Sequence, residues 1–220
     1  SDPVLLVVKT TKIAYNDYPF GRFNKLKTFT IIRKFFSLMN LISGKRQSKK
    51  AMNLIKDKYA FPARILLIDD TLTDEEIMML HRRGDCYVSL CRSEGWGLGS
   101  FAAAGMGNPV IITGFGGHLD FLPGELAYLI DYDLTPARDD WDTRRFTEDQ
   151  MWADPKRSHA SKLMRHVFEN QKEAKAHGEA LRRQVNECFN EDKVMQRLIS
   201  ALVQAKLPQR DGNDGINMPE

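Results

Sequence analysis

Short apolar runs recur along the chain, and turn signals or helical spacing follow them. Val4-Leu5-Leu6-Val7-Val8 is the first. An unbroken β-branched run of this kind reads as a strand buried on both faces, as in parallel sheets. Arg64-Ile65-Leu66-Leu67-Ile68, Cys86-Tyr87-Val88-Ser89-Leu90, Pro109-Val110-Ile111-Ile112-Thr113 and the shorter Tyr128-Leu129-Ile130 are the next four strands. Between the second and third lies Thr73-Asp74-Glu75-Glu76, a capping box in which Thr73 accepts free N–H groups and Glu76 reaches back. That spacing predicts a helix to about Arg83, with Gly84 closing it in a left-handed cap. A glycine-bearing segment and a helix separate the third and fourth strands. The alternation predicts an α/β fold, a Rossmann-like parallel sheet with flanking helices and right-handed crossovers.

Elsewhere the period is helical. Phe29, Ile32, Phe36 and Met39 place a helix over residues 25–42. Gly44-Lys45-Arg46-Gln47-Ser48 breaks it, and a second short helix follows over 49–58. Residues 131–157 are acidic, Trp-bearing and loop-like. Asp154-Pro155 then opens a helix with proline at its favoured first position, and Ala160, Leu163, Met164, Val167 and Phe168 share one face. A last helix follows Asn190, with Val194, Leu198 and Leu202 expected to point inward. The expected organisation is one Rossmann-like domain over residues 1–206, a basic helical insertion at about 22–58, and a disordered tail over 207–220. A sheet that begins on a doubly buried strand also leads us to expect earlier elements that lie outside this segment.

Composition adds little to that picture. The 220 residues, 42% hydrophobic and 28% charged, suffice for one core and are short for two nucleotide-binding domains. Cys86, Cys91 and Cys188 follow no metal or disulfide spacing and read as packing thiols in a reducing compartment. No apolar run is long enough to span a bilayer, and residues 4–8 are too few for a signal-peptide core. The expected location is cytoplasmic, with room for a peripheral place on a membrane.

Charge changes the picture locally. Residues 1–60 carry 13 Lys/Arg against 3 Asp, while the remainder carries 19 against 26 acids. The basic stretch admits a helical insertion with a solvated basic face, or docking on an anionic membrane. No motif supports nucleic acid.

The candidate chemistry lies in Ser93-Glu94-Gly95-Trp96-Gly97-Leu98-Gly99-Ser100, which follows a strand and enters a helix. Glycines let a diphosphate approach the backbone, and a helix N-terminus offers free N–H groups and a positive dipole. A carboxylate at Glu94 could accept hydrogen bonds from sugar hydroxyls. On spacing alone, packing glycines of an ordinary strand–helix turn are the better explanation of the segment.

The wider set of segments resembles the C-terminal, donor-binding domain of the GT-B glycosyltransferases of the retaining, E-x7-E type. A strand ends in Ser89. Ser93-Glu94-Gly95-Trp96-Gly97-Leu98 follows, then Gly107-Asn108-Pro109-Val110 and a strand, then Gly116-Gly117-His118-Leu119-Asp120-Phe121-Leu122. Gln150-Met151-Trp152-Ala153-Asp154-Pro155 and Phe189-Asn190-Glu191-Asp192-Lys193-Val194 are similar to the family's closing helices. The resemblance covers roughly residues 61–206. It implies binding of a nucleotide-diphosphate-sugar as donor substrate, with no permanent cofactor and no bound metal. It also implies an acceptor (glycan, lipid or protein) held by an N-terminal GT-B domain that is not visible here, so that this chain alone transfers sugar poorly.

By that resemblance Glu94 is the first Glu of the signature, at the donor sugar. Gly97, Leu98 and Gly99 form the turn whose backbone faces the phosphates, with Gly95 and Trp96 beside it as donor-binding residues; Gly116, Gly117 and His118 form a loop beside the donor, with Ala102 on the helix, and Lys9 is a candidate phosphate contact. Where the family carries its second Glu, on the ribose, this chain has Ala102. Losing a carboxylate that accepts two hydroxyls costs about 1.5–3 kcal/mol per bond. Three accounts stay open: a degenerate site in a non-catalytic binding or scaffold module, a ribose held by another group, or an introduced change.

Overall fold

The computed structural model describes residues 4–10, 52–53, 64–138 and 146–204. They fall into two compact units, one holding residues 1–79 and 136–151, the other residues 80–135 and 152–220. The insertion helices expected over 25–42 and 49–58 lie outside the described residues, except that residues 52–53 are helical. The tail over 207–220 lies outside them too.

In the first unit β1 (Leu5–Lys9) pairs in parallel with β2 (Arg64–Ile68), Leu5 opposite Arg64 and Lys9 opposite Ile68. The apolar run predicted burial on both faces, but Leu5, Leu6 and Val7 are 55%, 45% and 42% exposed. The pattern reports what a strand can bury, and neighbours decide what it does bury. Helix α1 (Asp74–Arg83) starts at the predicted capping box. The Glu76 N–H donates to Thr73 Oγ1 at 3.2 Å, and the Thr73 N–H donates to Glu76 Oε2 at 2.8 Å. Acids in its first turn and His81, Arg82 and Arg83 in its last both suit the helix dipole. The left-handed cap at Gly84 is not found: Gly97, Gly107 and Gly116 are the described glycines with positive φ, and the Gly84 N–H simply continues the ladder to Leu80 O at 2.9 Å.

The second unit is built on a parallel three-stranded sheet in the order β3 (Tyr87–Ser89), β4 (Val110–Thr113), β5 (Tyr128–Ile130). Helix α2 (Leu98–Gly105) connects β3 to β4. Every residue of β4 is buried, which explains its unbroken apolar run. Because side chains alternate across a strand, β4 serves two cores. Val110 and Ile112 pack with Ala103 and Ala104 of α2, with Phe121 and Leu122, and with Leu181 and Val185 of a later helix. Ile111 packs the other way, with Tyr128, Ile130, Ala160, Val167 and Ala174. This is the expected α/β, Rossmann-like arrangement of parallel strands flanked by helices.

The C-terminal part departs from expectation in four places. Residues 131–157 are not all loop: β6 (Tyr132–Pro136) pairs with β7 (Met151–Pro155). Asp133, Pro136, Asp154 and Pro155 hid these strands, since the ladder here is backbone-driven and has no apolar alternation. Pro155 therefore ends a strand, and α3 (Arg157–Glu169) starts two residues later. The segment over 150–155, matched above to a closing helix, is for the same reason extended. Asn170 separates α3 from α4 (Gln171–Cys188), a helix that the apolar pattern did not reveal because its buried face is thin: Ala174, Gly178, Leu181 and Val185. Finally, α5 (Glu191–Gln204) forms where expected, but Val194, Leu198 and Leu202 are about half exposed, at 49%, 51% and 59%. On α3 the predicted face is buried at Ala160 and Val167, while Met164 is exposed.

Candidate functional site

The two glycine-bearing segments of the second unit come together. Both leave the C-terminal ends of neighbouring parallel strands, β3 and β4, where open α/β sheets form their ligand crevices. The Gly117 N–H donates to the Glu94 carbonyl at 3.0 Å. A Cβ on Gly117 would run into the Gly95 carbonyl, and one on Gly116, whose φ is +128°, would lie 2.6 Å from the Glu94 carbonyl. These loops touch backbone to backbone, which only glycine allows.

Helix α2 starts on this junction. Gly97 stands at its N-terminus with φ 82°, and no side chain caps the helix. The first N–H to close back is that of Phe101, onto the Gly97 carbonyl at 2.9 Å. Ser100 is buried and donates its hydroxyl to the same carbonyl at 2.8 Å. The first turn therefore keeps the unpaired N–H character and positive end of a helix dipole. Glu94 is half-buried beside it: its Cγ is 3.2 Å, and His118 Cβ 3.4 Å, from where a Cβ on Gly97 would stand.

His118 is fully buried, with Nε2 2.7 Å from the Thr113 carbonyl at the end of β4. A carbonyl only accepts, so Nε2 carries the proton. Nδ1 is then a bare acceptor, and it is buried without a hydrogen-bond partner.

Two groups that sequence reasoning missed, Tyr87 and Cys91, feel the charge of Glu94. Burial pushes the Cys91 thiol up; the Ser89 hydroxyl opposes the shift and the Glu94 carboxylate adds to it. Burial likewise raises the Tyr87 phenol, with Ser89 opposing, and the charges of Cys91 and Glu94 add smaller upward pushes. The Thr113 hydroxyl is close enough to favour the Cys91 thiolate slightly, yet it lacks hydrogen-bond geometry and is otherwise unpaired. Tyr87 Oη also stands 2.7 Å from where a Cβ on Gly99 would be. The available signal was positional, since these residues sit at the ends of two predicted strands.

The remaining predicted site residues have other surroundings. Trp96 turns into the core, its ring 5.0 Å from Phe121, 5.5 Å from Phe189 and 5.7 Å from Phe101. Gly95 has open space around its Cα, and Leu98 is 78% exposed. Ala102 lies in the middle of α2, half-buried, its carbonyl accepting the Met106 N–H. Lys9 belongs to the first unit, where Nζ donates to the Thr10 carbonyl at 2.8 Å. Just before Glu94, Arg92 is held by Asp154 (Nη2 to Oδ1, 2.8 Å) and lies 5.6 Å over the Trp152 ring, while its carbonyl accepts the Ala153 N–H. That clasp ties the segment entering the site to β7. Among the described residues no group of His, Cys, Asp and Glu is arranged to hold a metal ion, and no helix is long and apolar enough to cross a membrane.

No family model and no curated protein matches the chain. Among solved structures it is similar to a sucrose-phosphate synthase from Thermosynechococcus elongatus, with a TM-score of 0.51 and 18% sequence identity. The likeness covers 72% of this chain and 35% of the synthase chain, so the chain spans about a third of that protein's length. At this identity what is shared is the fold, a glycosyltransferase-like α/β arrangement.

Proposed function

We propose that the chain is the donor-binding half of a retaining glycosyltransferase and holds a nucleotide-diphosphate-sugar between the 94–99 turn and the 116–118 loop. One observation carries the reading. The uncapped N-terminus of α2, the Glu94 side chain and the glycine loop after β4 meet at the C-terminal edge of a parallel sheet. The amide groups of the first turn of α2 suit a diphosphate, and Glu94 is placed to accept sugar hydroxyls.

In the transfer, the bond from the anomeric carbon to the phosphate oxygen breaks, and the nucleoside diphosphate leaves with the electron pair. An acceptor oxygen bonds to that carbon and gives its proton to a basic group of the acceptor-binding domain. This chain's part is to stabilise the charge growing on the leaving phosphate through preorganised N–H groups. The acceptor and its proton belong to an N-terminal domain that closes over the donor, so the chain alone transfers sugar poorly.

Ala102 favours a second reading, a non-catalytic binding or scaffold module whose ribose contact is lost. Calorimetric titration with UDP, GDP, UDP-glucose and GDP-mannose, run beside Ala102→Glu, separates the two. The donor-site reading expects one nucleotide to bind the chain as it stands, and the Glu variant to bind it about ten- to a thousandfold more tightly, at about 1.5–3 kcal/mol per charge-assisted bond. Binding by the variant alone makes the module reading the right one. Binding by neither removes the donor site.

A further inference from the structure

We infer that His118 is the positioning residue for Glu94, coupling the end of β4 to the carboxylate through the glycine pair; this rests on the donor-site reading. The chain of contacts is continuous. The Nε2–H of His118 anchors the 114–118 turn to the Thr113 carbonyl at 2.7 Å. One residue earlier, the Gly117 N–H holds the Glu94 carbonyl at 3.0 Å. Glu94 Cγ and His118 Cβ flank the same missing Cβ of Gly97. The imidazole is fully buried, so it acts on a ligand through these contacts. Its orientation is set by one strong bond, and the other nitrogen is left without a partner. A ring that only filled space would not need a nitrogen there, because burying an unpaired acceptor is unfavourable. The single Nε2–H bond is what a hydrocarbon could not replace.

A double-mutant cycle with calorimetry on the full chain tests this, using whichever of UDP-glucose and GDP-mannose binds, with the free nucleotide beside it. Circular dichroism checks that each variant is folded. Glu94→Gln is expected to weaken the sugar conjugate about tenfold or more and the free nucleotide little. His118→Phe keeps the ring and loses the bond. It should weaken the sugar conjugate about fivefold or more, as the loss of one buried hydrogen bond does, and again leave the free nucleotide nearly unchanged. Combined with Glu94→Gln it should add less than about twofold, because coupled residues are not additive. His118→Gln, whose amide reaches the Thr113 carbonyl, should restore most of the affinity. If His118→Phe does not fold, His118→Asn replaces it, since its shorter amide does not span to that carbonyl.

Additive losses, or equal losses for sugar conjugate and free nucleotide, overturn the inference and leave the donor site standing. Absence of any nucleotide binding by the unmodified chain overturns the donor-site reading and this inference together.

Discussion

At the scale of single residues, the junction at residues 94–97 and 116–118 is set by what cannot be there. Gly116 and Gly117 are required by backbone carbonyls that leave no room for a Cβ. That requirement was only half legible beforehand: the glycines stood out, but their partners, the carbonyls of Glu94 and Gly95, are visible only once the chain is folded. His118 was read as a loop residue beside a ligand; it is fully buried, with its Nε2 on the Thr113 carbonyl. A second residue-scale consequence concerns pH. Burial, followed by the charge of Glu173, pushes Tyr128 up to about 12 from an ordinary 10.0. A phenol whose pKa is raised on folding adds stability that is complete below its unfolded value, and that stability is lost as the pH climbs through the folded one. Stability should therefore fall between pH 10 and about 12, and Tyr128→Phe should flatten that part of the curve. Burial also pushes Cys86 up to about 12, so a decline that begins nearer pH 9 remains in the variant. Urea unfolding across this range measures both; an unchanged slope in the variant contradicts the environment described for Tyr128.

At the scale of elements, the parallel strands were the most legible part because each is a short apolar run bounded by turn signals. Residues 109–113 read simply as a strand, and the strand over 110–113 is buried throughout. Burial on both faces was expected for residues 4–8; the strand is there, but its side chains are largely exposed. Strands β6 and β7 were invisible for the opposite reason, since aspartates and prolines dominate a pairing held by backbone groups. Helices α4 and α5 sharpen the contrast. Leu181 of α4 is fully buried, while Leu198 of α5 is 51% exposed with Met195, Ile199 and Leu202 beside it. Leu181→Ala should cost about 2–5 kcal/mol, whereas Leu198→Gln should stay within about 0.5 kcal/mol. Chemical denaturation of the two variants is the check, and a cost of several kcal/mol at Leu198 would show that its helix face is covered.

At the scale of the whole molecule, the parallel α/β fold was legible from the alternation of strand and helix, and the likeness to a sucrose-phosphate synthase agrees with it at the level of fold. What the sequence could not carry was that Tyr87, Ser89 and Cys91, close to Glu94 in the chain, share an environment with it and with Thr113 of the neighbouring strand, because that depends on how deeply each side chain is buried. The central claim is that nucleotide-sugars bind at the meeting point of the two loops. Hydrogen exchange of the full chain, with and without UDP-glucose or GDP-mannose, tests it most directly. Binding there slows exchange in peptides spanning residues 94–101 and 114–119 and leaves α3 and α4 unchanged. Protection confined to other segments, or no protection at saturating ligand, would contradict it.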